Sequence, residues 1–402
     1  MMACAFHKKT AELCRKLIQA QSCSGQEAEA GKILADAFRE MGYDEVTIDG
    51  YGNVLGCIHG KKPGPCVLFD GHIDTVPVDD PAQWTVEPFA GTVKDDKIYG
   101  RGASDMKGAV AAMACAVAKY ADDCGRDFPG VLYVAGVVYE ELFEGVSARM
   151  ISEAVQPDYV VIGEASELNL KIGQRGRAEI VLETFGKPAH SANPEKGINA
   201  VRMMMRLLDQ VDRLQPPEQA GLGRGILEVT DIISEPFPGA SVVPSHCIAT
   251  LDRRLLVGET PESVLMPLER MIAQLGQEDE KFHGRVSLRG AELSCYTGRQ
   301  ISAKRFFPGW KFDEHAEFIR RSREALCQAG LNPTVTNYSF CTNGSHYAGE
   351  KQIPTIGFGP SFENLAHTVD EYITLEQLYH AADGYVNLAG ALTSCPVEKV
   401  QK

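Results

Sequence analysis

The feature that most constrains this fold is the alternation of apolar strand-like runs with helical patterns in the first half of the chain. The runs "CVLFDG", "GVLYVAGVVYEE" and "DYVVIGEAS" read as buried strands, and a helical pattern over Met106–Tyr120 separates the first two. Earlier, "SGQE" from Ser24 to Glu27 matches a capping box that opens a helix ending near Gly42. This alternation predicts an α/β sheet covered on both faces, and such sheets bind ligands where their strands end.

Between about Lys171 and Glu292 the pattern changes to strand, helix, two strands, helix and strand. This β-α-β-β-α-β order is the split βαβ arrangement, and it predicts a compact α+β domain inserted into the first domain. We therefore expect one domain formed by residues 1–173 and 293–402, and an inserted domain formed by residues 174–292.

Composition and charge exclude several classes of protein. The chain of 402 residues is 44% hydrophobic and 23% charged, as in ordinary soluble globular proteins. Its formal net charge of −14, with no basic block, argues against nucleic acid or an anionic membrane as partner. No apolar run reaches the roughly 18 residues of a membrane helix, and we expect no secretory signal. The scattered cysteines then predict reduced thiols in a cytoplasmic protein.

A histidine and an aspartate follow the first buried strand, in "VLFDGHIDTVP". His72 and Asp74 are two positions apart, so they point to the same side of an extended chain. Metal-binding histidines are commonly held by a carboxylate in this way. The alternative is an ordinary His–Asp hydrogen bond at a strand end.

Four further segments carry possible ligands: Asp105 in "GRGASDMKG", Glu140 and Glu141 in "VVYEELFEG", Glu164 in "VVIGEAS" and His367 in "NLAHTVDEY". Taken singly, each has a structural alternative. The first could be a helix N-cap, the glutamates could be solvated strand-end or loop acids, and the histidine could be structural. Together they favour a ligand cleft, because four of the five sites follow an apolar strand or a glycine-rich turn.

Two histidines and several carboxylates without thiolates suit a borderline or hard divalent ion, with zinc first and cobalt or manganese as alternatives. Two such ions balance three carboxylates (Asp105, Glu141, Glu164) and one bridging hydroxide, which avoids uncompensated buried charge. Glu140 is then free to take a proton from the bridging water as a general base.

The five motifs "GHIDTVP", "GRGASDMKG", "YEE", "IGEAS" and "AHTVDEY", in this order, resemble the M20 metallopeptidase and deacylase family. That family includes succinyl-diaminopimelate desuccinylase, acetylornithine deacetylase, carboxypeptidases and aminoacylases. The resemblance spans about residues 10–390 and implies a mixed-sheet, zinc-peptidase-type catalytic domain with an inserted ferredoxin-like lid and dimerisation domain. "YTGRQISAKRFFPGW" and "TNGSHYAG" further resemble a bacterial subgroup tied to selenium metabolism by genome context.

The resemblance also implies roles for the residues of the centre. In these roles Asp74 orients a metal-binding histidine and Glu140 is the general base. The implied ligands are His72 and Glu164 for one ion, Glu141 and His367 for the other, and Asp105 bridging both.

Outside the centre, "GKPAHSANPEKGINA" matches the family segment whose histidine, here His190, reaches the partner subunit's active site and polarises the substrate carbonyl. "LDRR" matches a family pattern in which Arg254 would grip a substrate carboxylate, with a surface salt bridge as the alternative. Asn343 and Gly344 are candidate substrate-binding residues in a loop that departs from the family pattern. His346 in that loop is a rival ligand to His367.

The function expected from these residues is hydrolysis of an amide bond next to a free carboxylate, in an N-acyl amino acid or a small peptide. A second hypothesis is an N-carbamoyl amino-acid amidohydrolase. A third, from another class, is a non-catalytic metal-binding or assembly protein on the same fold, against which the presence of Glu140 argues. A phosphatase or nuclease is disfavoured because no basic phosphate clamp is seen. We expect a homodimer formed through the inserted domain.

Overall fold

The computed structural model describes residues 4–397 and divides the chain into two compact units. The first unit comprises the described parts of Met1–Gln174 and Trp310–Lys402 together with Glu292–Ser302. The second unit comprises Arg175–Ala291 and a short return of the chain, Ala303–Gly309.

The helices lie in both units, and none within the described residues is both long and apolar enough to cross a membrane. Their bounds are α1 Ala5–Gln19, α2 Ala28–Glu40, α3 Gly108–Asp123, α4 Ala148–Val155, α5 Ala200–Val211, α6 Pro261–Glu278, α7 Glu317–Gln328 and α8 Leu375–Thr393. Single turns occur at Pro81–Gln83, Ala103–Lys107, Pro194–Lys196, Ser345–Glu350 and Glu363–Leu365.

A mixed nine-stranded sheet forms the centre of the first unit. In spatial order its strands are Glu45–Ile48, Val54–His59, Pro129–Val137, Lys62–His72, Tyr159–Ile162, Thr355–Gly357, Leu170–Gln174 and Trp310–Lys311, with Val335–Tyr338 also pairing to Leu170–Gln174. A smaller sheet has the order Tyr372–Thr374, Lys97–Tyr99 and Thr92–Lys94.

Three adjacent strands of the large sheet run parallel: Pro129–Val137, Lys62–His72 and Tyr159–Ile162. His72 lies opposite Val137, so two of these strands end level with each other. Because the carboxyl ends of parallel strands meet at one edge, the residues that follow them are brought together there. This edge carries three of the predicted site segments.

Helix α3 covers this part of the sheet, and its sequence "GAVAAMACAVAKYADD" explains how it can. Most of its side chains are buried, and it packs against α1 and α8. A Cβ atom on Gly71 or Gly163 would come within 2.8 Å of the Met113 Cε atom. Glycine at these two strand ends therefore makes room for the methionine side chains of Met106 and Met113 directly beside the site.

The second unit is built on an antiparallel sheet with α5 and α6 packed on it. Its strand order is Ile226–Glu235, His246–Leu255, Gly176–Phe185 and Gly284–Leu288, with Phe306–Phe307 also pairing to Gly176–Phe185. The element order along the chain is that of the predicted split βαβ arrangement. Short strand pairs complete the structure: Glu218–Gln219 with Gly223–Arg224, and Gly290–Ser294 with Gln300–Lys304.

Candidate metal centre

The five predicted ligands converge at the carboxyl edge of the large sheet. Asp105 lies between two histidines: its Oδ1 is 2.9 Å from His72 Nε2, and its Oδ2 is 3.2 Å from His367 Nε2. Glu164 Oε1 lies 3.6 Å from His72 Nε2, and Glu141 Oε2 lies 3.0 Å from His367 Nε2. Each histidine is therefore paired with one further carboxylate, and the aspartate faces both.

Four of these five residues, together with Glu140, form groups compact enough to hold a cation. Ligand atoms of His72, Glu140 and Glu164 lie within 4.8 Å of one another, as do those of His72, Asp105 and Glu141. Within the described residues, the Glu140 Oε1 atom is buried and has no hydrogen-bond partner. An unsatisfied buried acceptor costs about 1–3 kcal/mol, so a nearby cation or its water would stabilise it. The donor set of imidazole and carboxylate groups fits divalent ions such as zinc.

A buried ion pair joins the two loops that carry Asp105 and His367. Glu371 Oε1 accepts hydrogen bonds from the backbone N–H groups of Ser104 (2.8 Å) and Asp105 (3.1 Å). Glu371 Oε2 pairs with Arg101 at 2.6 Å, and Arg101 also donates to the carbonyl oxygen of Thr368. The sequence alone did not assign a role to either member of this pair, although Glu371 lies four positions after His367 in the "AHTVDEY" motif.

The carboxylate of Asp74 lies closer to the backbone N–H groups of Glu140 and Glu141 than to the ring of His72. The His72 Nδ1 atom is 2.9 Å from the backbone carbonyl oxygen of Asp74 but 3.6 Å from its Oδ1 atom. The two carboxylate oxygens instead accept hydrogen bonds from the backbone N–H groups of Glu140 (3.0 Å) and Glu141 (3.2 Å). Ser24 Oγ donates a further bond of 2.7 Å. Asp74 therefore contacts the histidine mainly through its backbone.

Burial and hydrogen bonding shift the pKa values of the centre, and the direction of the shift differs from one carboxylate to another. Burial raises the pKa of Glu140 and of Glu164 well above the usual carboxyl range. Hydrogen bonds to Asp105 and Glu141 raise the pKa of His367 to about 10. Burial alone would raise the pKa of Asp105, but hydrogen bonds to the histidines lower it. Because the centre contains more carboxylates than histidines, it attracts cations, either protons or metal ions.

Metal affinity should consequently weaken as the pH falls. Because the raised pKa keeps His367 protonated at neutral pH, each ion that it binds must displace a proton, and affinity should change about tenfold per pH unit for each proton released. Zinc competition with a chelator at several pH values measures this slope. In His367→Ala the number of protons released on metal binding, read from this slope, should fall by about one. The His315→Ala variant, which changes an exposed histidine, serves as the control. An affinity independent of pH would contradict the assignment of histidine ligands.

The side chain of His346 is bonded to residues outside this set of ligands. His346 is buried, with Nδ1 2.6 Å from Glu350 and Nε2 2.6 Å from Ser152 Oγ. Both ring nitrogens are thus engaged by protein groups. Since His367 Nε2 instead faces two carboxylates of the centre, at 3.2 Å and 3.0 Å, the geometry favours His367 over His346 as the candidate ligand.

The candidate substrate-binding residues Asn343 and Gly344 are also buried. Asn343 donates through Nδ2 to Asp70 Oδ1 at 2.9 Å and accepts through Oδ1 from the backbone N–H of Gly145 at 2.8 Å. A Cβ atom on Gly344 would come within 2.6 Å of the Trp310 indole nitrogen. Both ends of the Asn343 amide are therefore occupied by protein partners, an arrangement that positions neighbouring segments.

His190 and Arg254 lie in the second unit. His190 is exposed, and its Nδ1 atom accepts a hydrogen bond from the Ala192 backbone N–H at 3.0 Å. Arg254 donates through Nε to Asp252 Oδ1 at 2.8 Å, and Arg177 donates to the other oxygen of that carboxylate. The structure thus brings together Glu140, Asp74 and the five predicted ligands in the first unit. It places His190 and Arg254 in the second unit.

Proteins of known sequence resemble this chain over most of its length. It is 33% identical over 369 residues to the uncharacterized protein YgeY of Escherichia coli K12, covering 89% of this chain and 88% of the relative. It is 28% identical over 386 residues to succinyl-diaminopimelate desuccinylase 2 of Ruegeria sp., covering 91% of each chain.

Solved structures share the fold and confirm the predicted fold class. Aminopeptidase PepT from Bacillus cereus superimposes with a TM-score of 0.74 at 19% identity, covering 96% of this chain and 98% of that chain. The Bacillus subtilis YXEP protein, described as a dinuclear metal-binding peptidase from the M20 family, gives 0.71 at 15% identity, with coverage of 97% and 99%. The sequence profile of peptidase family M20/M25/M40 matches residues 68–391. The resemblance seen in the motifs is confirmed: the chain belongs to this family of metal-dependent peptidases and deacylases.

Proposed function

We propose that this protein is a two-metal hydrolase that cleaves an amide bond next to a free carboxylate in a small substrate. The observation that carries the proposal is the position of Asp105, whose two carboxylate oxygens each face a different histidine, His72 and His367. A carboxylate so placed can be shared between two ions. Zinc fits the donor set best, and cobalt or manganese fits the same ligands.

The proposed ligands divide into two sets around the shared aspartate. One set is His72 with Glu164, and the other is His367 with Glu141; the paired atoms lie 3.6 Å and 3.0 Å apart. Bound divalent ions would polarise the substrate carbonyl and lower the pKa of water. Proton transfer and binding of the substrate carboxylate would then be carried out by side chains of the protein.

Glu140 is the proposed general base. It precedes a proposed ligand in sequence, and its Oε1 atom has no protein partner among the described residues. It therefore has an oxygen available to accept a proton from the attacking water and later return that proton to the leaving amine nitrogen. Burial raises its pKa well above the usual carboxyl range, which favours its holding a proton between these two steps.

Arg254 is the proposed contact for the substrate carboxylate. Its Nε atom is held by Asp252, while its two terminal nitrogens have no partner within the described part of the chain. The anchored guanidinium can therefore present those nitrogens to a carboxylate as a pair. The names of the Ruegeria and Bacillus cereus relatives, a desuccinylase and an aminopeptidase, support N-acyl amino acids and small peptides as substrate classes.

We further propose that the second unit acts as a lid and joins two chains in a homodimer. The outer strand Ile226–Glu235 is paired on one side only within the described sheet and carries exposed apolar residues, including Ile232 and Ile233. An exposed edge strand of this kind can pair with a second copy. In such a dimer, His190 would polarise the substrate carbonyl at the partner's centre.

His190→Ala should leave the metal content unchanged and lower kcat by about 10²–10³-fold, the usual effect of removing a donor to the developing oxyanion. Mixing this variant with a Glu140→Gln chain should restore part of the activity, because a mixed dimer contains one complete site. The exposed His283→Ala in the same unit is the matched control and should retain activity. If mixing restores nothing, His190 does not act across a dimer.

A reducing compartment is consistent with the state of the cysteines. All twelve lie within the described residues, none of them is joined in a disulfide, and seven of them are buried. The pKa of the Cys14 thiol is raised to about 12 by burial, so it is an unreactive packing group. We propose that the enzyme works in the cytoplasm.

A substrate panel tests the proposed function. Protein reconstituted with zinc, cobalt or manganese is assayed in parallel for free amine and for ammonia, using N-acetyl, N-succinyl and N-carbamoyl amino acids and dipeptides. Amine release without ammonia from the acyl or peptide substrates is the expected result. Ammonia release from the carbamoyl substrates would instead assign an amidohydrolase, and a protein that binds no metal would overturn the proposal.

A further inference from the structure

The turn after strand Pro129–Val137 carries both the proposed base and a proposed ligand, Glu140 and Glu141. In this turn Tyr139 has a positive φ of 60°, a conformation that non-glycine residues rarely adopt. The four successive backbone N–H groups at positions 138–141 all donate to side-chain oxygens from other parts of the chain. Side chains, instead of a regular helix or strand, therefore determine the path of this backbone.

Three buried residues accept these four hydrogen bonds, and we call them the clamp: Glu27, Asn53 and Asp74. Asn53 Oδ1 accepts from the N–H of Val138 at 3.0 Å, while its Nδ2 donates to Asp49 at 2.7 Å. Asp74 accepts the last two bonds, as described for the metal centre. Each clamp residue is 0% exposed, so water does not compete for these contacts.

Glu27 is the clamp residue whose role the sequence least reveals. Its Oε1 atom accepts hydrogen bonds from the backbone N–H groups of Gly25 at 2.8 Å and Tyr139 at 3.3 Å. The predicted capping box does not form: α2 begins at Ala28 with no side-chain cap, and Ser24 donates to Asp74 instead. The carboxylate of Glu27 therefore binds the turn that carries Glu140 and Glu141.

The segment that carries Glu27 is itself fixed to the strand end beside His72. Ser22 Oγ donates to the carbonyl oxygen of Ile73 at 2.6 Å, and the Thr75 N–H donates to the carbonyl oxygen of Ser22 at 2.9 Å. The loop from Ser22 to Glu27 therefore links the backbone that follows one metal-binding strand to the turn that follows its neighbour. Such a link fixes the two ligand-bearing segments relative to each other.

We propose that Glu27 is a positioning residue that, by binding the Tyr139 N–H, fixes where the Glu140 carboxylate lies. The proposal rests on the proposed function, because it takes Glu140 to be the base. Displacing a catalytic group by about 1 Å can cost about a hundredfold in rate. Loss of the Glu27 acceptor should therefore act mainly on kcat, since neither metal ligands nor substrate contacts are removed.

Three variants test this proposal in the full-length, metal-loaded protein. Glu27→Ala removes the acceptor, and Glu27→Met removes it while filling the space, in case the smaller residue does not fold. Glu27→Gln keeps an oxygen acceptor. Glu29→Ala, which removes an exposed glutamate from the first turn of α2, is the matched control. The readouts are hydrogen exchange resolved to single amides, metal content, and the separate values of kcat and KM.

Both acceptor-deleting variants should show faster exchange at the Tyr139 amide with two ions still bound, kcat reduced about ten- to hundredfold, and KM nearly unchanged. Glu27→Gln should restore most of the exchange protection and of kcat. Unchanged exchange and kcat in Glu27→Met would overturn the proposal, as would a loss of protection spread over the whole chain. If the wild-type protein hydrolyses nothing, the proposed function fails, while hydrogen exchange still tests the clamp.

Discussion

Glu140→Gln should reduce kcat by about 10²–10⁴-fold, the usual contribution of a positioned general base, while both metal ions remain bound. The substitution keeps the size of the side chain but removes its ability to accept the proton of water. Because Glu140 is not among the proposed ligands, metal content should not change. Steady-state kinetics on the best substrate of the panel, together with metal analysis of the same sample, measures both effects.

Glu153→Gln is the matched control for that experiment, because Glu153 is an exposed glutamate on α4. It should leave kcat and metal content unchanged. A Glu140→Gln enzyme with full kcat would remove Glu140 as the base. A variant that lost its metal would instead make Glu140 a ligand, which its position within one of the compact ligand groups would also permit.

Asp105→Ala should abolish the binding of both ions, which is the largest effect expected of any single ligand. Asp105 contacts both histidines, so its loss removes one donor oxygen from each half of the centre and the single negative charge that the two halves share. Losing even an outer partner of a ligand commonly weakens metal binding by about 10–100-fold, and loss of a shared ligand should exceed this. Metal analysis after dialysis, with hydrolysis measured on the same protein, provides the readout.

Asp123→Ala at the exposed end of α3 is a control for the general effect of removing an aspartate from this helix region. Its ion pair with Lys119 is on the surface and should contribute less than about 1 kcal/mol to stability. Asp105→Ala protein that still binds two ions would refute the bridging role. One retained ion would show that Asp105 serves only one half of the centre.

The positions of the proposed strand-end ligands could be predicted from sequence, because they follow from simple rules. Apolar runs such as "CVLFDG" and "DYVVIG" must be buried, and parallel strands bring the residues after them to one edge. His72 and Glu164 are placed by that argument. The glycines beside them are explained by Met113 of the covering helix and Met106 just before it.

Residues beyond a strand end are harder to place from sequence. The same-side rule for positions i and i+2 holds only while the chain is extended. The described strand ends at His72, so Asp74 lies outside it, and its carboxylate turns toward the N–H groups of the next segment. The sequence therefore predicts that His72 and Asp74 lie near each other, but not which of their atoms are in contact.

Two polar residues fit a local sequence motif but bind partners from distant parts of the chain in the structure. Glu27 fits a capping box, yet in the structure it binds a turn that lies 112 positions later in the chain. Asn343 fits a substrate-binding loop, yet its amide joins Asp70 to Gly145. Such long-range contacts depend on the tertiary packing of several elements, and no local pattern in a single sequence encodes them.

The most direct test of the proposed centre is to locate its ions by anomalous diffraction from crystals of the zinc-reconstituted protein. The account predicts two peaks in each chain, one between His72 and Glu164 and one between Glu141 and His367, with Asp105 beside both. A single peak, or peaks that lie away from Asp105, would contradict it.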